Sequence, residues 1–304
     1  MSTIGYKIAK NDTVRVVITL EIPTDAKTNM DRSSISVKET AKYRTNKAKV
    51  LSIEDDSGKS YDSAISFYYK DKSLTYKLGE MIEEPSYDLD IEKVCAEGIH
   101  FFLNRRVAEL YEVQIIQNGL YENWHDNGQK GMEVTYVDGE LHGLYQMWHE
   151  NGQKWTEANY VHEKRNGLYQ IWYPNGQKDL EATYVDGKLH GLYQMWYNNG
   201  QKYLEATYLD GKRHGLYQSW HPYGQENEKA TYVDGKRHGL YQSWFSNGQK
   251  YLEVPYVNGE RHGLYTDWHK NGQKATEATY VNGVLYGLKR RWAEDGTILE
   301  EVVY

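Results

Sequence analysis

From residue 119 onward, apolar and polar positions alternate in two short runs that return every 24 residues. In the copy that starts at Gly191 the first run spans Leu192 to Trp196 (Leu-Tyr-Gln-Met-Trp) and the second spans Leu204 to Leu209 (Leu-Glu-Ala-Thr-Tyr-Leu). Period-two alternation carried by aromatic and aliphatic residues predicts half-buried strands. The runs are separated by Asn-Gly on one side and Asp-Gly on the other, dipeptides that suit the positive-φ positions of tight hairpin turns. Marker glycines Gly119, Gly143, Gly167, Gly191, Gly215, Gly239, Gly263 and Gly287 place eight copies in register, each with its Trp five residues on, from Trp124 to Trp292. A fixed period of this length means stacked supersecondary units. The prediction is an elongated, single-layer antiparallel β-sheet of eight hairpins over residues 111–304, sixteen strands long, or about 75 Å at about 4.8 Å per strand.

Two-residue loops at both turns would put Gly191, Tyr193, Met195, Leu204, Ala206 and Tyr208 on one face. Leu192, Gln194, Trp196, Glu205, Thr207 and Leu209 would then share the other, with Gln194 beside Glu205. A three-residue loop with a bulge would exchange partners. The marker glycine is expected to sit in the strand under a covering Tyr. Departures mark individual copies. His162-Glu163 replaces Asp-Gly and predicts a looser or differently shaped turn, and Pro255 predicts a local bulge. Lys229 stands where other copies have Glu, and Pro222-Tyr223-Gly224 replaces the usual Asn-Gly context.

Residues 1–110 lack the repeat and read as a small α+β domain of four or five strands and one helix. Strands are predicted over 13–22, 48–53, 64–69 and 74–78, the last two as a hairpin around 70–72, with another strand over 110–116. A helix is predicted over 90–102, with Val94, Cys95 and Ile99 on one face.

Composition sharpens this. The chain has 29 Tyr and 9 Trp against 4 Phe, side chains with an apolar body and a polar tip that suit a half-wet surface. The net charge of −7 includes no basic segment of the kind that binds nucleic acid or anionic lipid. With a single cysteine, Cys95, no internal disulfide can form, which points to the cytoplasm. Neither a signal peptide nor a transmembrane segment is visible.

Candidate chemistry is sparse. His142, His190, His214, His238 and His262 recur, but equivalent positions lie two strands apart, roughly 9.5 Å, whereas zinc needs ligands about 2 Å from one ion. These histidines are expected to bond the aspartate of their own turn, as His190 with Asp186. The recurrent Glu133, Glu157, Glu181, Glu205, Glu253, Glu277 and Glu301 form a row that reads as cross-strand pairing. No nucleophile, paired carboxylates or phosphate loop converge, so no catalytic, cofactor-binding or metal residue is assigned. An enzyme in the N-terminal domain would rest only on His100, Cys95 and scattered acids. The aromatic columns are the better candidates for a partner-binding face: Tyr145, Tyr169, Tyr193, Tyr217 and Tyr241 in one, Tyr160, Tyr184, Tyr208 and Tyr232 in the other. A second candidate is the C-terminal edge strand, Ile298, Leu299, Val302, Val303 and Tyr304, which invites pairing with another chain, including a homodimer.

Asp186-Gly187, His190-Gly191 and Asn199-Gly200, with their counterparts, resemble the variant MORN repeat, a β-hairpin repeat with a close relative in bacterial proteins described as antitoxins of toxin–antitoxin systems. Residues 47–53, 76–79, the stretch from Cys95 to Phe102 and Ala108-x-x-Tyr111 resemble a module of giant double-stranded DNA virus repeat proteins, for which no activity is established. Together these imply a non-enzymatic protein-binding scaffold of viral origin, in host cytoplasm or virion, without cofactor. The alternatives are an antitoxin-like or immunity-like protein that masks a partner, and a lipid-associated structural protein, which the negative charge of the repeats disfavours.

Overall fold

The computed structural model describes residues 2–68, 72–94, 96–111 and 118–304. The chain falls into two compact units, Met1–Glu140 with Gln146–Gln153, and Leu141–Tyr145 with Lys154–Tyr304.

Among the described residues the N-terminal domain contains eight strands, more than the four or five expected: β1 (Thr3–Asn11), β2 (Val14–Ile22), β3 (Lys42–Thr45), β4 (Lys47–Glu54), β5 (Ser63–Tyr68), β6 (Lys72–Lys77), β7 (Met81–Glu83) and β8 (Ile99–Phe102). Their order in the sheet is β3-β8-β1-β2-β4-β7, and the β5–β6 hairpin joins at β1. Val16, Ile18, Leu20, Val50, Ile53, Tyr43, Tyr76 and Phe101 form its buried core. Cys95, and the tip of the β5–β6 hairpin at 69–71, lie outside the described residues.

The helix predicted over 90–102 does not form. Arg44 on β3 is fully buried, and its guanidinium donates to the carbonyls of Lys93 at 2.7 Å, Asp88 at 2.5 Å, Glu97 at 3.2 Å and Asp90. The ring of Tyr87 lies 4.7 Å from its Cζ. Carbonyls turned onto one side chain cannot also line a helix axis, so this segment wraps the arginine and continues into β8. The helix lies instead at α1 (Arg105–Tyr111), where Asn104 Oδ1 caps the Arg106 N–H at 2.9 Å and Val107 and Ala108 pack on Ile8, Val17 and Phe102. Of the strand expected over 110–116, residues 110 and 111 belong to this helix and 112–116 lie outside the described residues.

The repeats form one antiparallel sheet of 18 strands, each hairpin following the last in chain order. The two beyond the expected sixteen arise because the strands entering copies six and seven are interrupted at His238 and His262. The copy at Gly191 shows how the register is set. Strand Lys188–Trp196 pairs with Lys202–Leu209 through Tyr193↔Ala206, Gln194↔Glu205 and Met195↔Leu204, the partners that two-residue loops predict. The Asn-Gly loop is nevertheless three residues long, closed by Tyr197 N–H to Gln201 O at 2.8 Å and Gly200 N–H to Tyr197 O at 2.9 Å. A bulge between Trp196 and Met195 then takes up one residue and restores the register. Loop and bulge cancel.

The Asp-Gly turn is a two-residue loop, with Val185 opposite Lys188 and φ of 48° at Asp186 and 80° at Gly187. Beyond it the register shifts between Ala182 and Tyr184, opposite His190-Gly191-Leu192. The marker glycine sits in this irregularity at φ 91°, and a Cβ there would meet only Thr183, at 3.9 Å. Backbone conformation, not a covering Tyr, therefore requires glycine. The strand interruptions at His238 and His262 fall at the same recurrent irregularity, so the break expected at Pro255 is not a property of proline alone. The His162-Glu163 turn keeps its shape rather than loosening, since Val161 still faces Lys164, but both residues are left-handed, at φ 47° and 62°. Glu163→Gly should therefore stabilise the full-length chain by roughly 0.5–1 kcal/mol, net of the greater freedom of unfolded glycine. Comparative thermal unfolding that showed no gain would contradict this reading.

Candidate interaction surfaces of the repeat

One face of each repeat is built from tyrosines over an alanine. Ala158, Ala182, Ala206, Ala230 and Ala278 are buried, as are Val134 and Val254 at the same position. A small side chain there leaves room for two rings, and Tyr169–Tyr184, Tyr193–Tyr208 and Tyr217–Tyr232 meet with centroids 5.7–5.9 Å apart. Tyr145–Tyr160 and Tyr241–Tyr256 pair in the same way at 5.7 and 6.3 Å. Such edge contacts add about 0.5–1.5 kcal/mol each beyond area burial. In four copies an arginine joins them. Arg165 lies 4.0 Å from the Tyr169 centroid and donates to Tyr160 Oη at 3.2 Å and Tyr184 Oη at 3.4 Å; Arg213, Arg237 and Arg261 repeat the arrangement. The candidate tyrosines are thus half-buried, and Tyr232 and Tyr241 are buried. Burial, then the neighbouring Glu228 carboxylate, pushes the Tyr241 hydroxyl up to about 12.

The other face carries a charged ladder. Gln170 donates to Glu181 at 2.7 Å and Gln194 to Glu205 at 2.8 Å, while Lys178 and Lys202 bond the same carboxylates. The lysine, and then the glutamine, hold Glu205 below the usual carboxylate range. Each such ammonium also lies over the Trp of the following copy, Lys178 at 5.4 Å from Trp196 and Lys202 at 5.7 Å from Trp220. Beside these groups, opposite the threonines and on the side away from Trp, runs an exposed leucine column, from Leu144 at 38% to Leu264 at 52%. The recurrent glutamates therefore pair across strands, as their spacing implies.

The recurrent histidines before the marker glycine do not bond their own turn. His190 and His214 face the aspartates of the following turn, Asp210 at 3.6 Å and Asp234 at 3.7 Å, beyond hydrogen-bond length. The histidines after Trp have a different task. His125 donates to Trp148 O at 2.8 Å and His269 to Trp292 O at 2.9 Å, and in other copies Tyr173 and Tyr197 make the same bond. The turn asparagines do likewise: Asn127 to Glu150 O, Asn175 to Asn198 O, Asn199 to Pro222 O and Asn271 to Glu294 O, all at 2.7–3.0 Å. Sequence reading missed these bonds. Their signal is a donor held at the same two positions of most copies.

The last strand, Ile298–Val303, takes its ladder from Val284–Trp292. Ile298, Leu299, Val302, Val303 and Tyr304 are all exposed, Val302 the least of them, while Glu300 and Glu301 are paired with Lys289, Arg291 and Arg290.

Residues 141–162, 165–186, 189–210, 237–258 and 261–282 match the MORN repeat variant. These five segments are MORN repeat variants. Residues 2–108 match a family of unknown function (DUF5758), so this domain precedes the MORN repeats. A comparison with curated proteins finds no match. The copies outside the matches include the one around Pro222, Tyr223 and Lys229, where the pattern departs furthest. Among the described residues no helix is long and apolar enough to cross a membrane, and no group of three or more His, Cys, Asp and Glu is placed to hold a metal ion.

His100, on β8 ahead of the MORN repeats, bonds Val94 O at 3.1 Å through Nε2. Burial first, then the charges of Lys42 and Lys7, lower its pKa from 6.5 to about 3. A neutral, enclosed imidazole is a packed side chain rather than a proton carrier at neutral pH. The unfolded chain binds a proton near pH 6.5 that the folded chain refuses until about pH 3, so stability from this site is full above the upper value and declines as pH falls between them. His100→Gln, which can still donate to Val94 O, should flatten part of the loss of thermal stability between about pH 7 and pH 4. Parallel pH profiles for variant and wild type would count against the assignment.

Proposed function

We propose that the chain is a non-enzymatic scaffold whose MORN repeats bind protein, and that it is a giant-virus protein acting in host cytoplasm or virion. MORN repeats are typically protein- or membrane-binding, and repeats of this architecture are typically non-catalytic. The observation that carries the reading is the pairing of the polar groups. On the leucine face Glu, Gln and Lys are bonded to one another in successive copies, while the leucine column beside them faces solvent. A surface of satisfied polar groups beside a regular apolar row suits long contact with another protein. The tyrosine columns lie on the opposite face and support that contact from beneath.

The combined substitution Leu192→Lys, Leu216→Lys and Leu240→Lys adds charge to side chains that already face solvent and should leave the fold intact. In affinity capture from the native host, a stoichiometric protein partner should be recovered by the wild-type chain and reduced at least about tenfold with the variant. Equal recovery by both would remove the leucine column as the contact. A small toxic partner would favour the antitoxin-like alternative, and binding to anionic vesicles the lipid-associated one.

A second contact is proposed at the last strand. Val284 and Tyr286, 68% and 66% exposed, stand where the other full copies carry Lys or Glu and His or Asn, so apolar exposure rises at this hairpin. With Val303 opposite Leu288 on the neighbouring strand, Leu299 exposed at the other end of the last strand and both glutamates already paired, an antiparallel second copy is the proposed occupant. Light scattering at about tens of micromolar should give a dimer that becomes a monomer on Val303→Lys or on deletion of 298–304. A monomeric wild type at that concentration would end this proposal.

A further inference from the structure

We propose that residues 29–41 of the N-terminal domain form a binding site for an Asn-Gly repeat turn and stand in for a repeat that would precede the first. In the stacked copies, the carbonyl just before the turn asparagine receives the amide of the previous copy's asparagine, as Glu150 O receives Asn127 at 2.7 Å and Asn198 O receives Asn175 at 3.0 Å. The first copy's equivalent of Glu150 is Asp126, 24 residues earlier. Its carbonyl receives the guanidinium of Arg32, Nη2 to O at 2.6 Å. Arg32 is 3% exposed and lies with its Cζ 5.3 Å from the Tyr43 ring centroid, so the donor is held in place by the domain itself.

A second equivalence concerns the turn glycine. In later copies the previous copy's glutamine side chain covers it: a Cβ on Gly200 would lie 3.3 Å from Gln177 Oε1 and one on Gly224 3.2 Å from Gln201 Oε1. On Gly128, the first turn glycine, the cover is backbone, and a Cβ would fall 2.0 Å from Val37 O and 2.8 Å from Ala41 N. The loop also binds the turn's own carbonyls. Ser36 and Val37 donate their N–H groups to Asn127 O at 2.9 and 3.1 Å, and Thr40 Oγ1 donates to Gly128 O. The loop thus recognises the shape and the carbonyls of a repeat turn, which any Asn-Gly turn of this sheet presents. This inference does not depend on the protein-binding role proposed above.

Hydrogen–deuterium exchange on the full chain tests it, with Gly128→Ala set against Gly200→Ala. Both glycines have nearly the same positive φ, 88° and 83°, so backbone strain is common to the two and only the covering atoms differ. Gly128→Ala should accelerate exchange of the Ser36 and Val37 amides and of the first turn on the order of tenfold or more. Gly200→Ala should disturb its own turn by much less than this. Arg32→Ala should reproduce the Gly128→Ala pattern. If it also exposes β1 and β2, the domain itself has been damaged and the Gly128→Ala comparison decides, because that variant leaves the N-terminal domain's sequence intact. Unchanged protection at Ser36 and Val37 in Gly128→Ala, or equal effects of the two glycine variants, would overturn the proposal.

Discussion

A sheet made of successive hairpins leaves turn carbonyls and turn amides along both rims, and each hairpin must be fixed to the next by something besides its strand ladder. Here the fixing bonds span nearly one period. On the Asn-Gly rim, the asparagine and the His or Tyr after Trp donate to carbonyls 23 residues on. On the Asp-Gly rim the turn glycine N–H donates back 22 residues, Gly187 to Arg165 O at 2.9 Å and Gly211 to Leu189 O at 2.8 Å. An inserted or deleted residue in any copy would carry the side-chain donors of that rim off the strand direction in which they point. The uniform 24-residue step is the sequence trace of this constraint.

With adjacent turns fixed, the faces follow. Neighbouring hairpins present the same side chains at a repeated spacing, so the stabilising contacts must be ones that every copy can repeat. Tyrosine over alanine does this by edge contacts within a copy, and Lys-Glu-Gln does it by charge, with the Lys reaching the Trp ring of the following copy. Leu and Phe would supply more burial but no polar tip for a half-wet site, which accounts for a composition rich in Tyr and Trp.

The periodic part of the fold was legible because each local signal agreed with the others: alternation, turn dipeptides and phase. The cross-strand partners, including Gln194 with Glu205, followed from turn chemistry, although the true loop and its compensating bulge did not. Sequence shows the sum of loop and bulge and not the two parts. In the N-terminal domain the signals conflict. The segment around Val94 and Ile99 carries a helical spacing, but whether it coils depends on Arg44, about fifty residues earlier and buried among its carbonyls. No local pattern records such a contact. The tyrosine columns were legible as columns. Their burial was not, because it depends on the alanine between them and on an arginine whose role is clear only once its neighbours are in place.

The departures in copies five to seven show that rim bonds and face packing compensate for one another. Tyr223, 84% exposed, takes the place of a donating asparagine, and Phe245 takes the place of a donating His or Tyr. The bonds that remain there are long, with His221 to Trp244 O at 3.3 Å and Asn247 to Lys270 O at 3.5 Å. In the same copies the tyrosine face is at its densest. Val254 replaces the column alanine and is fully buried, Tyr232 and Tyr241 are the two buried members of their columns, and Tyr241 donates to Glu228 at 3.0 Å. In a repeat array, stability is close to a sum of unit and nearest-neighbour terms. A joint that loses donors at its rim can therefore persist if its face gains contact, and the larger Val254 supplies that gain where the staples are weakest.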